Sequence, residues 1–334
     1  MRGKTMKKTG KTTLGFLCAS LLTFSSASAE TVLRYAGTLP VTHHLSEAQK
    51  TFAALVAEKT NGELKIEVYP AGQLYKAHDI PTAVVTGAVD IGFNLTNVWT
   101  RDAVSDINDI PFLYRDANHA EQAWAPDGQL FDLYTKTLAA RQMKPLGVMF
   151  FGSLFDISNN DKPLVKPEDF AGMKIRAYGA LSSEAVRALG GSPTTMDPGE
   201  MYLGLQNGTI DGAITGLTSI DTRKLWEAGS HATIAQAAFG VFAVNMNLAK
   251  FNGLTENQQT ALMESAREVF QTTADESARQ DEQSLAFLQE NIQVVVLDDE
   301  QKAAWAKILA PVVEGWQSRA SDDEAAVIEW IRGL

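Results

Sequence analysis

Two hydrophobic repeats alternate along the chain. Val32–Ala36 reads as a short strand, and His44–Lys59 then brings Leu45, Ala48, Phe52, Leu55 and Val56 onto one helical face before the chain turns near Gly62. Leu64–Tyr69 alternates apolar and polar residues and is stopped by Pro70. A further helical stretch leads to a buried strand at Val89–Phe93. This β-α-β-α-β order predicts a mostly parallel sheet with helices on both faces. Next come a Pro-containing loop at Asp109–Phe112, helical segments to about Arg141, and a strand at Leu146–Phe151.

A second α/β run begins after Gly152. Strands are predicted at Met173–Ala177 and Ile210–Ile214, and helices at Ser182–Leu189 and Gly199–Gln206. From Thr255 to about Gln289 there is neither Pro nor Gly, and Ala261, Leu262, Ala266, Val269, Phe270 and Ala274 recur at helical spacing. At 1.5 Å per residue such a helix is roughly 50 Å long, more than one domain's diameter, so it should lie across two lobes. Trp305, Trp316 and Trp330, in the acidic tail after Asp298, read as core anchors of surface helices.

Residues 1–29 break the pattern. Arg2, Lys4, Lys7, Lys8 and Lys11 precede the short apolar run Leu14–Phe24 and an Ala27-Ser28-Ala29 end, the layout of a secretory signal peptide cleaved before Glu30. The only cysteine, Cys18, lies inside it. It follows a leucine where lipid attachment requires a small residue, and the mature chain is left with no thiol, as suits an oxidising compartment. The whole chain carries 29 Lys+Arg against 40 Asp+Glu; losing five cations and no anion leaves 24 against 40, a net charge of −16. Such an excess argues against nucleic acid as a partner, because that binding depends on cationic surfaces. At 334 residues the chain has room for two domains, each with its own core. An exported, soluble mature protein is expected.

Catalytic and metal signatures are missing. There is no G-x-G-x-x-G, G-x-S-x-G or H-E-x-x-H, and Gly10-Lys11-Thr12 lacks the glycine five positions earlier that a phosphate loop requires. His43, His44, His78, His119 and His231 show no ligand spacing; His43 and His44, at the start of a helix, are expected to cap it or to be exposed. Asp156–Asp161 has aspartate where an EF-hand turn needs glycine and is read as a solvated turn before Pro163. Glu184, Asp197 and Glu200 are isolated carboxylates. No nucleophile with its base, no metal and no cofactor is expected.

Three blocks carry a specific resemblance. Lys166-Pro-Glu-Asp-Phe-Ala-Gly-Met-Lys-Ile-Arg176, Gly190-Gly-Ser-Pro-Thr-Thr-Met196 and Glu200-Met-Tyr-Leu-Gly-Leu-Gln-Asn-Gly-Thr-Ile-Asp-Gly212 stand in the order and spacing of the solute-binding subunits of TRAP transporters, the DctP-like family. Thr60-Asn-Gly-Glu-Leu, Pro70-Ala-Gly-Gln-Leu74, Gly87-Ala-Val-Asp-Ile91 and Ile110-Pro-Phe-Leu113 extend it over residues 30–334. The resemblance implies an α/β, two-lobe periplasmic binding protein fold, with hinge strands and a long helix spanning both lobes. It implies lobe I from 30–153 plus about 241–283 and lobe II from 154–240 plus about 284–334. It also implies an organic acid held in the cleft and passed to the TRAP membrane permease, with the binding protein a monomer. The alternatives are a binding protein of another transporter class, such as an ABC system, and a periplasmic enzyme acting on organic acids; the three blocks disfavour the first and the missing motifs the second.

Arg176 matches the family's carboxylate-binding arginine. It falls near the C-terminal end of a predicted strand, which in open α/β sheets points into the ligand crevice, and a guanidinium there can hold a carboxylate by two parallel hydrogen bonds. Further positions carried over are Asn94, Phe151, Tyr178, Met196, Pro198 and Thr215, with His44, Asn97, Trp99 and Phe239 as outer candidates. Two positions depart from sialic-acid-binding relatives: their second arginine, about twenty residues earlier, falls here at Phe155-Asp156, and their asparagine after Asp-Gly is Thr215. Both changes speak against a sialate-like or multiply charged ligand, and with Phe151, Tyr178, Met196 and Trp99 as walls a monocarboxylate with an apolar or aromatic body fits better.

Overall fold

The computed structural model describes residues 1–3, 5 and 30–334. The apolar run, Cys18 and the cleavage site of the expected signal peptide lie outside these residues. Eleven strands follow in the described part: β1 (Thr31–Gly37), β2 (Leu64–Tyr69), β3 (Ile91–Leu95), β4 (Met143–Leu154), β5 (Asp156–Asn159), β6 (Lys174–Ala177), β7 (Ser192–Thr195), β8 (Gly212–Thr215), β9 (His231–Ile234), β10 (Ala238–Asn247) and β11 (Gln293–Val296). They form two sheets, in the orders β2-β1-β3-β10-β4 and β11-β9-β5-β8-β6-β7.

The predicted parallel start is present: β1 pairs in parallel with β2 and with β3. The sheet does not stay parallel, because β10 returns from the second sheet and lies antiparallel between β3 and β4. The second sheet is mixed in the same way, with β6, β7 and β8 parallel and β5 antiparallel to β8 and β9. Periodicity showed where strands lie; direction depends on where the chain re-enters, which no local pattern records. Asp156–Asn159 is likewise a buried central strand and not a solvated turn. Asp156 can be buried because Ser153 Oγ and the backbone amides of Ala235 and Gln236 donate to its carboxylate at 2.6, 3.0 and 3.1 Å.

The chain crosses between the sheets at β4 to β5, through Phe155 with φ +66°, and at β9 to β10, through Gln236 with φ +49°. The helix Glu256–Asn291 makes a third connection, opened by a Thr255/Gln258 capping box. At 36 residues it is about 54 Å long. It packs on β4 and on the helix His44–Lys59, and also on the helix Leu217–Thr222 and on β11. Ala266 approaches Gly147 so closely that a Cβ there would stand 3.0 Å from the alanine methyl. The C-terminal helices also reach both sheets: Trp305 stacks edge-on against Phe170, while Trp316 Nε1 donates to Ala103 O at 3.0 Å and Val104 N to Glu324 at 2.7 Å. Trp305 and Trp316 are fully buried, and Trp330 packs at the rim of the same core.

Ser153 ties this crossing to the long helix. Its amide donates to Asp281 at 2.7 Å while its hydroxyl donates to Asp156. Burial, aided by their mutual repulsion, raises Asp281 well above the usual carboxylate range, and burial lifts Asp156 to about 6. Gly152, at φ +101°, must be glycine on two counts, since a Cβ would also stand 2.5 Å from Asp281 Oδ2. Gly152→Ala should therefore lower unfolding free energy by about 2–4 kcal/mol in urea titrations. Between pH 4 and 6 the folded chain keeps an Asp156 proton that the unfolded chain has lost, so the contribution of Asp156 to stability falls as pH rises through that window and levels off above it, while the buried, neutral His43 and His44 act in the opposite sense. Asp156→Asn can keep both amide bonds, and its unfolding free energy relative to wild type, from urea titrations, should rise by up to about 3 kcal/mol between pH 4 and 7, a difference in which the contributions of the other buried groups cancel.

Candidate functional site

A cavity of about 390 Å³ lies between the sheets, and only about 40 Å³ of it is wide enough for the centre of a water molecule. One side of its wall comes from the first sheet and the loop after β1: Thr38, Leu39, Asn94 and Leu95. The crossing strands contribute Phe151, Leu154 and Phe242, and the second sheet contributes Arg176, Tyr178, Pro198, Thr215, Ser219 and Arg223.

Arg176 is the third residue of β6 and only 4% exposed. Its Nε donates to Met196 O at 3.1 Å and its Nη1 to Ile214 O at 2.8 Å. These carbonyls fix the plane of the guanidinium and leave Nη2 without a partner among the described residues. Burial first, and then the charge of Arg223, push its pKa down to about 10, so it remains a cation at neutral pH. Neither arginine has a carboxylate within ion-pair distance among the described residues. The carboxylate that acts on both, from further off, is Asp197. Two neighbouring cations, one buried and one half-buried, without a carboxylate partner among the described residues form a receptor for an anion.

Arg223 was missed in the sequence. It follows the helix Leu217–Thr222, and Ser219 and Arg223 stand four residues apart, the spacing that brings side chains to one helical face. That spacing after a strand was the available signal. Arg223 Nη2 donates across the cavity to Thr38 O at 3.1 Å, while its Nε is enclosed and unpartnered.

Of the residues named from the sequence, Asn94, Phe151, Arg176, Tyr178, Pro198 and Thr215 line the cavity together. Met196 does not line it, but its carbonyl holds Arg176. Asn94 spends its side chain on Ala77 O and the amide of Leu95. Phe151 is stacked between His43 and Phe242, with ring centroids 5.3 Å away on each side. Glycines at 216 and 240 make room for it, since a Cβ would stand 2.0 and 2.7 Å from its ring atoms. The buried Tyr178 hydroxyl is raised well above its ordinary pKa by burial and by the charge of Asp109, so it stays protonated.

The outer candidates lie behind the wall. His43 caps the first helix through Leu45 N at 3.2 Å, and His44 stacks on it and meets Ser277 Oγ at 3.0 Å. Burial lowers both, His44 to about 4, so both rings are neutral. Asn97 donates to Asp109 at 2.6 Å beside Gly179. Trp99 donates to Asn94 O at 3.3 Å from within the first core, and Phe239 is buried in β10. Among the described residues no group of three or more His, Cys, Asp or Glu could hold a metal ion, and no helix is long and apolar enough to cross a membrane.

The family profile described as bacterial extracellular solute-binding protein, family 7 (DctP), matches residues 35–319. The chain belongs to this family of TRAP solute-binding proteins. Among its relatives in the DctP family are the 2,3-diketo-L-gulonate-binding periplasmic protein YiaO of Escherichia coli, 30% identical over 77% of this chain and 78% of that protein. Another is the C4-dicarboxylate-binding periplasmic protein DctP of Rhodobacter capsulatus, 27% identical over 83% and 84%. The DctP fold recurs in a TRAP periplasmic solute-binding protein from Roseobacter denitrificans solved with β-D-glucuronate, at TM-score 0.84, 25% identity and 90% and 99% coverage. It recurs too in DctP7 of Bordetella pertussis, a receptor binding pyroglutamic acid, at TM-score 0.85, 22% identity and 90% and 99% coverage. DctP-family proteins are periplasmic receptors that work with TRAP permeases.

Proposed function

We propose that this protein captures a compact organic monocarboxylate in the cavity between its sheets and presents it to a TRAP permease. It does so as a monomer, without catalysis, after export and cleavage before Glu30. The observation that carries this reading is the buried Arg176 guanidinium, oriented by two backbone carbonyls and lacking a carboxylate partner among the described residues. Relatives whose ligands are organic acids support the class of ligand.

The narrowness of the space favours a small acid over a sugar acid. Phe151, Leu154, Leu39, Leu95 and Phe242 would face its apolar body, and Asn94, Tyr178, Pro198 and Thr215 complete the enclosure. Two lobes, 30–153 with about 241–283 and 154–240 with about 284–334, would move about the crossing strands. Ala77 N donating to Asp197 at 3.1 Å and Lys76 to Glu200 at 2.7 Å would then be contacts of the closed form. With 24 cations against 40 anions after cleavage, the mature chain repels an anion at long range. A Debye length of about 8 Å at physiological salt confines that repulsion, so capture depends on local groups.

Mass spectrometry of the small molecules released by denaturing the purified protein should identify a monocarboxylate, and calorimetry with that acid should give one site per chain. Arg176→Ala should abolish binding, and Arg176→Lys should weaken it by about 100-fold or more, because an ammonium cannot reproduce the bidentate geometry. Unchanged affinity in either variant, or a panel in which only C4-dicarboxylates raise the melting temperature, would refute the reading.

A further inference from the structure

Arg223 stands apart from the residues carried over by resemblance, and its surroundings define what it can hold. It enters the same cavity as Arg176, from the end of a different element, and the two are close enough for its charge to act on Arg176. Its Nη2 is committed to Thr38 O, whereas its enclosed Nε–H has no acceptor among the described residues. An enclosed, unpartnered donor on a cation costs more than an ordinary hydrogen bond returns, and a ligand acceptor removes that cost.

Charge decides the kind of acceptor. Two guanidinium groups are opposed by the one carboxylate that acts on both, Asp197, so a single negative charge on the ligand brings the local sum to zero. A second ligand carboxylate would overshoot that sum, and it would have to reach Arg223 or be buried against Leu39, Leu95, Leu154 or Phe242. A neutral oxygen next to the carboxylate satisfies the free donor at no such cost. With so little open space between the walls, that oxygen must lie close to the carboxylate.

We propose that Arg223 is a specificity-determining residue of this site, donating a hydrogen bond to an acceptor oxygen on C2 of the ligand, so that the protein selects short 2-oxo or 2-hydroxy monocarboxylates. The proposal rests on the reading of Arg176 as the carboxylate anchor. The same side chain, through Thr38 O, bridges the two sides of the cavity, so an Arg223 that served only as a brace would affect every acid alike.

The test is calorimetry of the mature protein with butanoate, 2-oxobutanoate, 2-hydroxybutanoate and succinate. Wild type should bind 2-oxobutanoate or 2-hydroxybutanoate about 10- to 100-fold more tightly than butanoate, the range expected for one charge-assisted hydrogen bond, and succinate no more tightly than butanoate. The two C2-oxygenated arms show which oxygen is preferred. In Arg223→Met the preference over butanoate should shrink to within about threefold, and Arg223→Lys should recover part of it. Arg223→Gln, judged by the same ratio, replaces the Met variant if that one fails to fold. A wild type that binds none of the acids, shows no preference for C2 oxygen or prefers succinate overturns the proposal. So does an Arg223 variant that keeps the wild-type ratio while every affinity falls together. Arg176→Ala, run in parallel, separates the two readings: if it still binds, the anchor assignment fails whatever the Arg223 ratio.

Discussion

The buried positive charge in the cavity is the constraint around which this molecule is arranged. Arg176 is enclosed at the end of β6, and two carbonyls from separate segments, Met196 O and Ile214 O, take up two of its nitrogens. That requires the loop after β7 and the end of β8 to converge on β6, which the parallel β7-β6-β8 order achieves. Asp197 then serves three purposes from one position: it caps the short turn at Pro198–Glu200 through Gly199 N at 3.0 Å, accepts Ala77 N from across the cavity, and tempers both arginines. Glu200 was read as an isolated carboxylate, and it too reaches across, to Lys76. Isolation in sequence says nothing about a partner supplied by another strand crossing.

What could be read from the sequence depended on how local its cause is. The helix His44–Lys59 and the strand Leu64–Tyr69 are bounded by features within a few residues of their ends, a capping histidine, Gly62 and Pro70, and the predicted ends match the observed ones. The long helix was legible from its apolar spacing and the lack of Pro and Gly, and it ends two residues beyond the predicted Gln289. Arg176 was legible because it closes a specific block of sequence. Strand direction in both sheets, the burial of Asp156 and the place of Arg223 were not, because each is set by contacts more than thirty residues away: β10 with β3, Asp156 with Ala235, Arg223 with Thr38. An arginine in Thr-Arg-Lys-Leu looks like solvated surface until the fold shows Thr38 O opposite it.

The hinge and the cavity share a wall. Phe151 lies in β4 just before Gly152 and Ser153, whose bonds to Asp281 and Asp156 tie the crossing to the long helix and to the second sheet. On its other side it belongs to a run of rings, His44, His43, Phe151, Phe242, Phe93 and Tyr35, with successive centroids 4.4 to 6.0 Å apart. A packed column of this kind resists small displacements, so motion of the lobes should concentrate at the positive-φ residues Phe155 and Gln236.

Ligand and closure can then be coupled by charge alone. With no anion present, bringing the sheets together forces Arg176 and Arg223 out of water and toward each other, and the bond from Arg223 to Thr38 O only partly offsets that cost. Opening should rehydrate both cations and relieve their repulsion. An anion between them reverses the balance, because its attraction to two guanidinium groups grows as the sheets exclude solvent. A ligand shifts an equilibrium only by its difference in affinity for the two states, and on the proposed reading that difference would come from the second arginine: in an open form the acid would meet Arg176 on β6, and in the closed form it would also meet a donor held against the opposite wall.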